Sequence, residues 1–131
     1  MSPPFEQQGI VALLQEISQL LRQLALSDEN GVIDLRRSPL SPAQREALLT
    51  LLGQGEVSAE LTVMGRSRVE ETALAGVWWV THYNEEGVVV AELLEIAPIP
   101  QILLSVEDEL GESQDRLQQM IDGIINGGSV K

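Results

Sequence analysis

The sequence predicts an α+β fold: a four-stranded antiparallel meander, with or without one short extra strand, and three helices packed mainly on one face of the sheet. Two patterns support this prediction. Apolar residues recur at helical spacing towards both ends of the chain, whereas in the middle they alternate with polar residues at a period of two. A chain of 131 residues has the size of one domain, so we predict a single domain over residues 1–131.

The first part of the chain is predicted to hold two helices and a short strand. Apolar residues at i, i+3, i+4 and i+7 indicate a helix over about Glu6–Leu26. The β-branched segment Val32–Leu35 indicates the short strand. Ser41 as N-cap, with Gln44 three residues later and a proline between them, predicts a capping box. The second helix then runs to about Leu52.

The middle of the chain is predicted to form the meander. Alternation of apolar and polar residues from Glu56 to Val63 is typical of a strand with one solvated face. Ser67–Leu74 is predicted to be the next strand. The last two strands lie within Gly76–Ile96 and flank Asn84–Gly87, whose residues favour a type I turn. This hairpin carries both tryptophans, the only tyrosine and the only histidine on its first arm, so we expect the functional surface nearby.

The last segment is predicted to be a third helix. Ser105 followed by Asp108 resembles a helix start, and Asn126–Gly128 is expected to end the helix. Five apolar residues lie on one helical face: Leu117, Met120, Ile121, Ile124 and Ile125.

Charge and composition exclude several classes of function. With 20 acidic and 8 basic residues the formal net charge is −12, which repels phosphate backbones, so nucleic acid is not an expected partner. An acidic surface attracts a cationic partner, although net charge of this size also serves solubility alone. The chain has no cysteine, which excludes disulfides, thiolate zinc sites and cysteine nucleophiles. No segment has the pattern of a secretory signal or a membrane span, so we expect a soluble, cytoplasmic protein without membrane insertion.

The two adjacent tryptophans must point to opposite faces of their strand, because side chains alternate along a strand. Pairing of Asn84 with Val88 across the turn assigns the other residues to faces. One face then carries Trp79, Thr81, Tyr83, Val89, Ala91 and Leu93. The other carries Trp78, Val80, His82, Val90, Glu92 and Leu94. We assign the second face to the open side of the sheet, since it holds a mid-strand carboxylate and the imidazole.

The open face is the predicted surface for partner binding, with Trp78 as its aromatic anchor. The predicted partner-binding residues are Trp78, Val80, His82, Glu92, Leu94 and Arg36. No pair of carboxylates, phosphate-binding loop or cluster of metal ligands stands out, so we predict neither catalytic nor metal-binding residues, and no cofactor.

Three segments resemble the C-terminal region of the HupH/HyaF-type hydrogenase expression/formation proteins. They are the IDLR-x-x-PL-x-P-x-x-R-x-x-L run over Ile33–Leu48, GEVSA over Gly55–Ala59, and GVWWV-x-HYN over Gly76–Asn84. The resemblance extends over about Val32–Leu104. It implies a cytoplasmic accessory factor that works with the small-subunit precursor of a nickel–iron uptake hydrogenase before export by the twin-arginine route. Because a chain without cysteine cannot hold an iron–sulfur cluster through thiolates, we expect this factor to act like a chaperone by binding the immature subunit. Members of that family are commonly longer, with a further region ahead of the part matched here.

Two alternatives to chaperone-like binding stay open from the sequence. Metal delivery to the hydrogenase would use His82 with Glu92 and other carboxylates as ligands. A homodimeric interaction module without metal would bury the same open face against a second copy.

Overall fold

The computed structural model describes residues 5–37, 40–62, 65–104 and 107–127. The chain divides into two compact units, Met1–Gln101 and Ile102–Lys131, and each is described by itself. The prediction of one domain over residues 1–131 therefore stays a prediction.

Two helices of the first unit have the predicted positions. Helix α1 spans Phe5–Ser27 and helix α2 spans Pro42–Leu52. The capping box of α2 is confirmed, because the Gln44 backbone N–H donates to Ser41 Oγ at 3.1 Å and the Ser41 N–H donates to Gln44 Oε1 at 3.0 Å. Gly53, at a φ of +68°, ends the helix with its N–H bonded to the Leu49 carbonyl.

The described residues form one five-stranded antiparallel sheet. Its strands are β1 (Gly31–Asp34), β2 (Ser58–Thr62), β3 (Arg66–Glu71), β4 (Val77–Tyr83) and β5 (Val89–Ile96). Strands β2 to β5 are the predicted meander, and β1 is the short extra strand, paired with β5 in the order β1-β5-β4-β3-β2. The predicted end of the first meander strand at Val63 lies outside the described residues.

Helices α1 and α2 cover one face of the sheet, which we call the helix face. The core of this unit consists of buried side chains from α1, α2, β1, β4 and β5 and the residue after β1: Ile10, Ile17, Ile33, Leu35, Leu48, Leu52, Val77, Trp79, Leu94 and Ile96. Trp79 is thus in the helix-covered core, as predicted.

A β-bulge in the hairpin corrects the predicted pairing of β4 with β5. The turn is as predicted: the Gly87 N–H bonds to the Asn84 carbonyl at 3.0 Å, and Tyr83 pairs with Val89. Beyond the turn His82 pairs with Ala91, so that Val90 has no partner on β4. From there onward the register is shifted by one residue and every β5 side chain points to the opposite face from the one predicted.

The second correction concerns the face that points away from α1 and α2, which we call the Trp78 face. Trp78 does face away from the helices, but it is only 5% exposed, so the prediction of an open surface at this residue is wrong. The chain after β5 turns back over this end of the face. The Trp78 Nε1–H donates to the Ala97 carbonyl at 3.0 Å, and the Gln101 N–H donates to Glu95, the cross-strand partner of Trp78, at 2.7 Å.

The second unit contains helix α3, Glu107–Ile125. It ends as predicted in a turn at Asn126 and Gly127, whereas the predicted N-cap, Ser105, lies outside the described residues. Packing of this third helix on the sheet stays a prediction.

Candidate functional site

A cleft of about 550 Å³ lies between α2 and the helix face of β3 and β4. The core beneath α1 and α2 includes side chains of β1, β4 and β5, and among the described residues β3 contributes none to it. We call this hollow the α2 cleft. Its walls include Arg45 and Leu49 from α2, Arg68 from β3, Trp79 and Tyr83 from β4, and Glu92 from β5.

A buried carboxylate with two partners occupies one end of the α2 cleft. Both terminal nitrogens of the Arg45 guanidinium donate to the two carboxylate oxygens of Glu92. The Trp79 Nε1–H donates to the same carboxylate at 3.1 Å. The Arg45 guanidinium also lies over the Trp79 ring, 5.2 Å from its centroid. The side chain of Glu92 is 10% exposed and that of Arg45 is 44% exposed, so the cation is the accessible member of the pair.

Glu92 stays ionised in this position despite its burial. Burial raises the pKa of the carboxyl, but the hydrogen bonds from Arg45 and Trp79 and the positive charges of Arg45 and Arg36 together hold the pKa below its ordinary value of 4.5. The pKa of Arg45 is raised, mainly by the same hydrogen bond to Glu92. Arg45 and Glu92 therefore form a fixed, oriented ion pair. Neither side chain donates a proton near neutral pH.

A second hollow, of about 340 Å³, shares Arg45 and Glu92 with the cleft and adds Leu35, Arg36 and Leu40. We call it the Arg36 hollow. The Arg36 Nη1–H donates to the Val89 carbonyl at 2.9 Å, and the backbone N–H of Arg36 donates to Asp34 Oδ1 at 2.9 Å. These bonds fix the segment after β1 against β5 and hold a second guanidinium near Glu92.

Arginines and aromatic rings continue along the sheet side of the α2 cleft. Arg68 forms an ion pair with Glu70 at 3.2 Å, and the Arg66 guanidinium lies 4.5 Å from the centroid of the Tyr83 ring. With Arg36 and Arg45, four of the chain's eight basic residues lie in or beside this region. The walls of the cleft also carry Glu70, Glu71 and Glu92, so the arginines of this region are matched by carboxylates, in contrast to the net charge of −12 of the whole chain.

The local structure explains why these residues meet. The capping box fixes the first turn of α2, and the Arg45 N–H makes the first helical bond to the Ser41 carbonyl at 2.9 Å. The bulge at Val90 turns Glu92 to the helix face, where it is paired with Thr81 and lies within reach of Arg45. Without that shift Glu92 would point to the Trp78 face and Arg45 would have no carboxylate below it.

The structure places the six predicted partner-binding residues in three different environments. Arg36 and Glu92 line the Arg36 hollow. Leu94 is fully buried in the core, and Trp78 and Val80 are buried on the opposite face. His82 is half-buried on the Trp78 face, with its Nδ1 at 2.7 Å from the Ser67 hydroxyl. The shared face predicted for the five residues of β4 and β5 is therefore wrong, and the role of all six residues in partner binding stays a prediction.

The corrected register also separates the proposed metal ligands. His82 pairs with Ala91 and Glu92 pairs with Thr81, so the two side chains lie on opposite faces of the sheet. Within the described ranges, no three His, Asp or Glu side chains are grouped in a way that would hold a metal ion. The expected absence of a metal and of catalytic residues remains a prediction. None of the described helices is long and apolar enough to cross a membrane.

Sequence reasoning missed Arg45, Arg68 and Tyr83 as site residues. Arg45 had one visible signal, because it is the arginine of the PL-x-P-x-x-R run, and Tyr83 lies in GVWWV-x-HYN. The contact of Arg45 with Glu92 depends on how α2 packs against the sheet, over a separation of 47 residues. No local pattern contains that information.

The chain matches the family model described as HupH hydrogenase expression protein, C-terminal conserved region, over residues 9–124. The hydrogenase expression/formation protein HoxQ of Azotobacter vinelandii is 33% identical over 121 residues, which are 92% of this chain and 41% of that protein. The hydrogenase-1 operon protein HyaF of Escherichia coli is 31% identical over 121 residues, 92% of this chain and 42% of HyaF. The chain thus spans about two fifths of the length of these relatives.

A solved structure has the same fold. The hydrogenase expression protein HupH from Thiobacillus denitrificans superimposes with a TM-score of 0.80 at 37% sequence identity, over 86% of this chain and 94% of that chain.

Proposed function

Because the chain belongs to the family of HupH hydrogenase expression proteins, we propose that it is a non-catalytic accessory factor in hydrogenase maturation. In this proposal it binds the small-subunit precursor of a nickel–iron uptake hydrogenase before export and holds it in a chaperone-like way. We call this precursor the client. The cytoplasmic location expected from the sequence is part of the proposal.

The main observation in support of the proposal is that two of the segments that resemble the family lie together at the α2 cleft. The run over Ile33–Leu48 supplies Arg45 to the cleft and Arg36 to the adjoining Arg36 hollow, and the segment Gly76–Asn84 supplies Tyr83, with the buried Trp79 beneath Arg45. Arginine and tyrosine are among the residue types that dominate binding energy in protein interfaces. We therefore propose the α2 cleft as the client contact, in place of the face around Trp78.

The rim of the α2 cleft supports contact with a protein segment. Leu49 on α2 and Val89 on β5 both line the cleft and are 41% and 37% exposed. An apolar rim around charged and aromatic walls suits a peptide with alternating apolar and polar side chains. Inside the cleft the carboxylates already have arginine or backbone partners, which supports binding rather than acid–base chemistry.

Metal delivery is the weaker alternative. It requires His82 and Glu92 to act together, and these side chains point to opposite faces of the sheet. The salt-bridged state of Glu92 also leaves its carboxylate oxygens engaged by Arg45 and Trp79.

The test is a binding measurement with a small-subunit precursor, with and without its signal segment, immobilised and titrated with the full chain. Leu49→Asp places a charge on the rim of the α2 cleft, and we expect it to weaken binding about tenfold or more. Leu51→Asp is the matched control, because Leu51 lies two residues further on the same helix, is 58% exposed, and is not among the described lining residues of the cleft.

Equal weakening by both variants, or by neither, would contradict the α2 cleft as contact surface. No binding of the precursor by the wild-type chain would contradict the proposed client. Circular dichroism of both variants confirms that the fold is retained, since both positions are already exposed.

A further inference from the structure

Helix α3 presents an apolar stripe to solvent. Its members are Leu110, Leu117, Met120, Ile121, Ile124 and Ile125, which are between 37% and 74% exposed. The opposite side of the helix carries the polar residues Asp108, Glu112, Asp115, Gln119 and Asp122. Single exposed apolar residues are ordinary on a protein surface, but a continuous stripe along a 19-residue helix is typical of an interaction surface.

The spacing of the stripe is that of a helix pair. Leu110, Gln114, Leu117, Ile121 and Ile124 follow each other at steps of four and three residues, the a and d positions of a heptad. A single polar residue at such a seam, here Gln114, is the usual device that fixes register. The stripe therefore matches another helix better than it matches a flat surface.

The charges of α3 favour a second α3 in the antiparallel direction. Five of its six acidic residues lie in the first half, up to Asp115, and only Asp122 lies in the second half. A parallel pair would place the two acid-rich halves side by side, and like charges at such distances repel. An antiparallel pair places each acid-rich half beside the acid-poor half of the other helix and also opposes the two helix dipoles favourably.

We propose that α3 is a self-association surface through which two copies of this chain form an antiparallel helix pair. Centred between Asp115 and Arg116, the pair places Leu110 of one copy opposite Ile121 of the other and Gln114 opposite Leu117.

The length of α3 limits the area that the dimer buries. A helix of 19 residues is about 28 Å long and buries on the order of 400 Å² on one face, about half of the ~800 Å² that each partner contributes to a standard interface. An interface of this size belongs with weak, transient associations, so the population of the dimer depends on protein concentration.

Sedimentation equilibrium of the full chain over a range of concentrations is the first test. We expect a monomer–dimer equilibrium that Ile121→Glu weakens about tenfold or more, because it places a charge in the seam. Gln119→Glu is the matched control on the polar side of the same helix and leaves the dissociation constant within about twofold. A monomer throughout the micromolar to millimolar range, or a dimer equally sensitive to both variants, would overturn the proposal.

Cysteine cross-linking tests the direction, since the chain has no cysteine of its own. Leu110→Cys and Ile121→Cys are purified separately and oxidised alone and as a mixture. An antiparallel pair cross-links only in the mixture, because a disulfide needs Cα atoms about 4.4–6.8 Å apart and each cysteine faces the other position. Cross-linking of either variant alone indicates a parallel pair and overturns the proposal, as does the absence of any cross-link.

Discussion

Glu92 is a carboxylate that the fold buries and nevertheless keeps charged. Two side chains of different kinds hold it, a guanidinium that neutralises it and an indole N–H that adds one hydrogen bond. All described buried polar side-chain atoms have a hydrogen-bond partner, so the buried charge at Glu92 is part of a fully satisfied network. A substitution of Glu92, Arg45 or Trp79 therefore removes a hydrogen bond from the side chains that remain.

The lowered pKa of Glu92 predicts a specific loss of stability in acid. A carboxyl whose pKa is lower in the folded than in the unfolded state contributes stability above the unfolded value, near 4.5, and loses it as the pH falls through the folded value. Glu92→Gln should therefore lower the free energy of unfolding by about 1–2 kcal/mol at pH 7, less than for a fully buried pair because Arg45 is 44% exposed.

Urea unfolding at pH 7 and well below pH 4.5 checks this prediction. The difference in the free energy of unfolding between the wild type and Glu92→Gln should be smaller at the acidic pH. Glu60→Gln, which removes one charge from an exposed position, controls for the change in net charge. An equal difference at both pH values would contradict the claim that the ionised form of Glu92 stabilises the fold.

The two tryptophans are expected to give similar stability losses in spite of their opposite facing. Both are 5% exposed, and each donates its indole N–H within the fold, Trp79 to Glu92 and Trp78 to the Ala97 carbonyl. Replacement of either by alanine should cost about 3–5 kcal/mol. Thermal melts of the two variants measure this. A Trp78→Ala variant as stable as the wild type would mean that the segment after β5 does not cover this ring.

At the scale of single elements, α2 joins stability to the candidate site. Its capping box fixes the turn from which Arg45 projects, one turn after Ser41. Ser41→Ala should lower the free energy of unfolding by about 1 kcal/mol, whereas Ser41→Asp keeps a side-chain acceptor at the cap and should cost little. Chemical denaturation separates the two variants. Equal stability of Ser41→Ala and the wild type would show that the cap carries little of the helix's stability.

The elements themselves were largely predictable from the sequence. The capping box and the turn at Asn84–Gly87 are local, because their hydrogen bonds join residues three or four apart. The period of two indicated the meander, and the β-branched pair Val32 and Ile33 after a turn indicated β1. Each of these signals lies within the element that it predicts.

The bulge and the site were not predictable in the same way. Val88, Val89 and Val90 have identical side chains, so the sequence does not indicate which of them lacks a partner. A glutamate in mid-strand suggests a solvated face, and only its distant partner Arg45 makes the opposite facing possible. Trp78 was assigned to an open face because the return of the chain after β5 depends on tertiary packing.

For the whole molecule, charge and apolar surface are distributed unequally. The first unit has a covered sheet and collects four arginines around the α2 cleft, although the chain as a whole carries −12. The second unit has the opposite character, with an acidic helix whose apolar stripe is exposed. The two proposed contacts, client and second copy, therefore use surfaces of different chemistry.

The bulge at Val90 also determines how residue roles can be carried from one relative to another. One extra residue in β5 acts like a frameshift within the strand, because it leaves the turn unchanged and exchanges inside for outside in everything that follows. If a relative lacks the extra residue, an alignment that places the gap after Glu92 would keep a high score, yet it would pair Glu92 with the position of that relative that points to the opposite face of the sheet. Comparison along this strand is therefore sound only when the unpaired residue, and not the turn, is taken as the reference point.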